Sequence, residues 1–207
     1  MELGENSPKS LRNPEEIRYR NSLLQKPHIQ PLTLFIEKMR IEKGPDFLIP
    51  YFDPCDGGIF ARVLFLLEAP GPQAIKSGFV SRNNNDETAK NMMMLLKDSG
   101  IQRKDSCSWN VIPWYLGDGK KIRPATQTDI DKGAPYLLQL LGLFTRLRVV
   151  ALVGKKAWKT EYLFKLSRYK VFKTFHPSPV PINTGTVSIQ EILDSFITIA
   201  QYLDHSK

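Results

Sequence analysis

Residues 61–71 read ARVLFLLEAPG. Val63, Leu64, Phe65, Leu66 and Leu67 form an unbroken apolar run between Arg62 and Glu68. A run of this length without alternation predicts a strand buried on both faces, as inside a parallel sheet. The carboxylate of Glu68 and the turn formers Ala69, Pro70 and Gly71 end it abruptly. Open α/β sheets take ligands at the carboxyl ends of their strands, so Glu68 is the first candidate site residue.

Working outward, residues 109–114, WNVIPW, predict a second strand that Pro113 limits at its far end. Residues 149–154, VVALVG, predict a third. Residues 169–175, YKVFKTF, predict a fourth, which delivers His176-Pro177-Ser178-Pro179. Helical spacing covers 32–42, 86–99, 129–147, 155–166 and 188–203, with Asp86 as a cap, Gly100 as a stop and Pro135 at a kink or fresh start. The methionines at 92–94 read as core packing, and residues 49–58 and 72–85 as loops. The alternation predicts an α/β fold: a single three-layer domain with a mostly parallel four-stranded sheet and helices on both faces. Residues 1–30 read as a polar N-terminal extension, either partly disordered or carrying a loosely docked helix over 14–24, and 31–207 as the α/β domain.

A chain of 207 residues suits one domain that buries about 70 per cent of its unfolded surface. No stretch has the apolar length of a membrane span, and the opening MELGENSPKSLRNPEE lacks the apolar core of a signal peptide, so a cytoplasmic protein is expected. Cys55 and Cys107 stand apart in no paired motif, which argues against a disulfide framework or a four-thiolate metal site. The net charge of +8 and pI near 9.5 favour a polyanionic partner held more weakly as salt rises.

Three polar residues stand at predicted strands: Glu68 after the first, Asn110 within the second and His176 after the fourth. A parallel sheet gathers such ends on one edge. Each has a plainer reading alone: Glu68 as a turn cap, Asn110 as an amide satisfying backbone groups, His176 as a structural hydrogen-bonding residue. Phe79, taken singly, reads as core.

Together, EAPG after an apolar strand, Phe79 in a following loop, Asn110-Val111-Ile112-Pro113 and HPSP resemble, in order, the uracil-DNA glycosylase superfamily, in particular its branch with a glutamate in the first motif. The resemblance implies a monofunctional DNA glycosylase of base-excision repair, a monomer acting on DNA that holds uracil or another deaminated base. Glu68 would activate water and His176 would stabilise charge on the leaving base, as catalytic residues. Asn110 would read the base edge, Phe79 would stack on it, and Ala69, Pro70 and Gly71 would complete the base pocket. Pro177, Ser178 and Pro179 would press on the phosphates, with Ser81 also on the DNA and Val180, Pro181 or Ile182 filling the gap left in the stack. Leu67 stands where the family has glycine. Cys55 and Cys107 cannot form the four-cysteine iron–sulfur cluster of that branch, so no metal or other cofactor is implied. Lys76, Arg82, Lys120, Lys121, Arg123 and Lys173 fall near loops on the same edge.

Two other classes stay open. One is a catalytically inactive nucleic-acid-binding module of the same fold. The other is an unrelated α/β enzyme on nucleotides or phosphoesters, weakened because no GxxxxGK[ST] occurs and Gly154-Lys155-Lys156 is too short a fragment.

Overall fold

The computed structural model describes residues 7–118 and 121–205. Helices α1 (Pro14–Leu23) and α2 (Gln30–Lys43) precede β1 (Tyr51–Phe52), β2 (Val63–Leu67), α3 (Pro72–Ser77), β3 (Phe79–Val80), α4 (Glu87–Asp98) and β4 (Ser106–Asn110). Then follow α5 (Gln127–Leu141), β5 (Val149–Val153), α6 (Lys155–Trp158), β6 (Lys170–Thr174), α7 (Pro179–Asn183) and α8 (Ile189–His205). The four-stranded sheet has the order β4-β2-β5-β6 and every pair is parallel. A small parallel sheet joins β1 to β3.

The apolar run explains the layering. Side chains alternate along a strand, and all of Val63 to Leu66 are buried. Val63 and Phe65 pack with Met92, Leu95 and Leu96 of α4 and with Ile192, Phe196 and Ile199 of α8. Phe65 stacks on Phe196 with ring centroids 4.9 Å apart. Leu64 and Leu66 face the other way, among residues of α2 and α5, where Trp109 stacks on Phe52 at 3.8 Å. Each buried side chain of this size contributes roughly 1.5–3 kcal/mol. The three layers match the expectation, and β2 sits at the centre, flanked by β4 and β5.

Three local expectations are corrected. The second strand is Ser106–Asn110, not residues 109–114. Ser106, Cys107 and Ser108 are all buried, so small polar residues occupy a strand that apolar patterning passes over. The expected loop over 72–85 contains α3 and β3, and that over 49–58 contains β1.

The N-terminal segment is the third. Arg20 of α1 is fully buried; its Nε donates to Asp53 at 3.0 Å and its guanidinium pairs with Glu16 at 3.2 Å. Arg103 meets the other Asp53 oxygen at 2.8 Å and Asp56 at 3.1 Å, and Arg82 lies 3.4 Å from Asp56. Burial alone would raise Asp53, but the Arg103 and Arg20 guanidiniums outweigh it and hold the carboxyl below its usual range. The chain before α1 joins in: Leu11 N donates to Asn83 O at 3.1 Å, and the Asn83 amide donates to Ser7 O at 2.9 Å. Residues 7–23 are therefore built into the domain instead of loosely docked; residues 1–6 of the expected extension lie outside the described residues.

Removing one partner of a buried ion pair leaves an uncompensated charge. Arg20→Ala should lower the unfolding free energy by about 3 kcal/mol in urea denaturation. An unchanged midpoint would show that α1 is not tethered in this way.

Candidate active site

The carboxyl edge of the sheet opens into a cleft of about 320 Å³. That is the small end of the ligand-pocket range, about 300–1,000 Å³. Leu67, Ala69, Pro70 and Gly71 line it where β2 gives way to α3. Asn110 enters from the end of β4 and His176 from the turn after β6. Val80, Ser81, Asp86 and Met92 bound it from β3, the loop after it, the cap of α4 and the middle of that helix.

Strand pairing places Asn110. Leu67 and Asn110 are register partners. The ladder runs on through Val111 N to Leu67 O at 2.8 Å and Ile112 N to Glu68 O at 3.0 Å. On the far side α5 presses close at Gly133, where a Cβ would stand 2.5 Å from the Val111 carbonyl. Asn110 is 3 % exposed, and its Nδ2 has no hydrogen-bond partner among the described residues. A buried donor left unpaired costs about 1–3 kcal/mol. It marks a group waiting for an acceptor.

His176 is positioned by the strand end before it. Thr174 O accepts from Gly154 N at 2.8 Å and from the Trp158 indole at 3.0 Å. Gly154 has φ +87 and ψ 157, and a Cβ there would lie 3.0 Å from the His176 Cβ. Burial pushes the imidazole below its ordinary pKa, and the charge of Asp86 partly opposes that. The Asn91 amide of α4 donates to Pro177 O at 2.8 Å, joining the helix to the residue after His176.

Other expected residues are placed differently. Glu68 does not line the cleft: its Oε1 accepts from Ala125 N at 3.2 Å, ahead of α5. Leu67 and Ala69 face the cleft, so the alternation of an extended chain turns the residue between them away. Phe79 is 1 % exposed, packs 6.3 Å from the Tyr51 ring in the small sheet and leaves the cleft to its neighbour Val80. No Phe, Tyr or Trp among the described residues lines the cleft. Ser81 does line it, but its hydroxyl donates to Asp53 and accepts from Asn83 N at 2.9 Å.

Pro177 is buried, while Ser178 and Pro179, at the start of α7, are half-buried and outside the cleft lining. The side chain of Val180, like Lys120, lies outside the described residues. Among the basic candidates, Arg82 is buried against Asp56 and donates to Ser106 at 2.7 Å, so it is a structural ion instead of a surface one. Arg123 forms a two-pronged pair with Asp129 at 2.6 and 2.7 Å, and Lys173 pairs with Glu161 at 2.6 Å. Lys76 and Lys121 are exposed. Sequence reading noted Asp86 only as a helix cap, weighed Gly154 only as part of a phosphate-loop fragment and passed over Asn91. A clue lay in the chain itself, since a cap at the mouth of a strand-end cleft also presents a carboxylate. No group of His, Cys, Asp and Glu among the described residues could hold a metal ion, and no described helix is long and apolar enough to cross a membrane.

Residues 54–196 match the family model of the uracil DNA glycosylase superfamily. Among solved structures, the chain is similar to a mimivirus UNG variant crystallised in complex with UGI. The identity is 13%, the TM-score 0.38, and the alignment covers 81% of this chain and 71% of that one. No curated protein matches the sequence.

A side chain at the Gly154 backbone conformation costs about 1–3 kcal/mol. Gly154→Ala should lower stability by that amount in thermal melts and shift the His176 imidazole resonances. An unshifted imidazole would mean that the glycine does not set its position.

Proposed function

The chain belongs to the uracil DNA glycosylase superfamily, and on that premise we propose that it hydrolyses the N-glycosidic bond of uracil, or of a related deaminated base, flipped out of DNA. The observation that carries the reading is the idle Asn110 amide, buried in a cleft that His176 shares. A base inside a duplex is shielded from attack, so the nucleotide has to swing out into such a cleft. There the Asn110 amide donates to uracil O4 and accepts from N3–H. Cytosine presents an amino group at that edge and no N3–H, so both contacts fail for an amide in this orientation. Sites built on paired hydrogen bonds reject the mismatched analogue strongly. Leu67, Val80 and Met92 supply apolar walls for the ring faces.

In the reaction, the oxygen of water bonds to C1′ as the C1′–N bond breaks. The bonding pair passes to the base and spreads onto O2, and water gives up a proton. His176, kept neutral by burial, donates a ring N–H to the charge growing on O2. No lysine among the described residues lines the cleft, which supports simple hydrolysis over strand cleavage through a covalent amine adduct. The positive net charge draws the chain to DNA.

A second reading is a DNA-holding module without catalysis. One observation favours it: the Glu68 carboxylate is engaged by Ala125 instead of facing the cleft. The two separate in one assay, alkali treatment of single- and double-stranded oligonucleotides carrying one uracil after incubation with the protein. Strand breaks support hydrolysis; binding without breaks supports the second reading. Asn110→Ala and His176→Ala should each slow excision by about 100-fold or more, with melting temperatures near that of the parent chain. Normal excision by both variants would overturn these roles. The lowered imidazole pKa also sets a pH window. His176 stays neutral at and above its ordinary value near 6.5 and gains its proton only in more acid solution, so excision should hold steady across neutral pH and change below that value. A transition centred on the alkaline side would contradict a half-buried imidazole whose pKa is lowered.

A further inference from the structure

We propose that Asp86 is the catalytic carboxylate of this site, orienting the attacking water and taking its proton. The inference rests on the glycosylase reading and fills the place that Glu68 leaves empty. Asp86 lines the same cleft as Asn110 and His176 and is the only Asp or Glu among the described residues that does so. Its backbone is held on both sides: its N–H donates to Asn84 O at 2.9 Å and its carbonyl accepts from Lys90 N at 3.2 Å. Its side chain is held at one oxygen only. Oδ1 accepts from Ala89 N at 2.8 Å, capping α4, while Oδ2 makes no hydrogen bond among the described residues. One oxygen fixes the direction of the group and the other is left to meet water.

The surroundings suit that role. Asp86 stands at the start of a helix of 12 residues, where the dipole favours negative charge. The unpaired Asn110 amide in the same cleft independently points to a ligand there. The Asn91 hydrogen bond to Pro177 ties α4 to the loop after His176, so acid and imidazole keep a set spacing. In the step itself, the water oxygen bonds to C1′ while its proton passes to Asp86 Oδ2, and the C1′–N pair leaves on the base. The ionised carboxylate also favours the positive charge that develops on the sugar. The base anion then takes a proton from solvent, and no oxidant or other reactant is needed.

The test separates capping from catalysis. Asn is as good a helix cap as Asp, so Asp86→Asn should keep the melting temperature and the affinity for abasic-product DNA. Single-turnover excision should fall by about 100-fold or more, and added formate should restore part of the rate in Asp86→Ser, whose hydroxyl also caps. Glu87→Gln, the exposed neighbour that pairs with Lys9, should excise at the parent rate. If the parent chain excises and Asp86→Asn matches it, the proposal falls and the glycosylase reading stands. If the parent chain leaves every base in place, both fall. Should Asp86→Asn fold poorly, Asp86→Ser with and without formate decides the question, and a loss of rate that formate leaves unchanged counts against the proposal.

Discussion

The site depends on the parallel register that sets Leu67 beside Asn110. Because side chains alternate along a strand, a slip by one residue would turn Asn110 into the core and bring its neighbour to the cleft. That neighbour is Trp109, whose ring stacks on Phe52 and is wholly committed to packing. β2 holds the register because both of its faces are buried: Val63 and Phe65 are locked on one side, Leu64 and Leu66 on the other. Apolar packing that has no chemistry of its own thus decides which polar group reaches the edge.

The opposite wall rests on charge. Arg20, Arg82 and Arg103 face Glu16, Asp53 and Asp56, with one carboxylate for each guanidinium, beside the buried residues 81–84, of which Ser81, Arg82 and Asn84 line the cleft. Pairs of this kind add little net stability relative to apolar side chains of similar volume. What they contribute here is shape. Ser81 is bound to Asp53, Asn83 accepts from Arg103 at 2.9 Å, and Asn84 closes onto Phe79 O at 2.9 Å, which leads the chain to Asp86 in one conformation. Burial acts unevenly on the cluster: it raises Asp56, while Asp53, flanked by Arg103 and Arg20, is held low.

Much of the architecture was legible where burial and composition agree. β2 and β5 are apolar because both faces are covered, and the inward stripe of α8, with Ile192, Phe196 and Ile199, repeats at helical spacing. β4 was misplaced because Ser106 and Ser108 are polar by type yet buried by position, Ser106 satisfied by Arg82 and by carbonyls of the preceding turn. At the carboxyl edge of the sheet, Asn110 and His176 line one cleft. Glu68 and Phe79 illustrate a different limit. Neighbours on an extended segment point to opposite sides, so Glu68 and Ala69, or Phe79 and Val80, cannot both face one slot. Composition alone does not say which member of each pair turns inward. The N-terminal segment was read as loose because its residues are polar, and the partner that buries Arg20 lies at Asp53, in a distant part of the chain.

The single hydrogen bond from Asn91 to Pro177 has a mechanical consequence. It fastens the second turn of α4 to the proline-stiffened loop beyond β6. Parting those two elements would break that bond. Among the described residues the facing lip carries no such tie to α4, and there Gly71 leads into the six-residue α3 and Gly78 supplies the left-handed turn at its far end, so the cleft widens at least cost on that side.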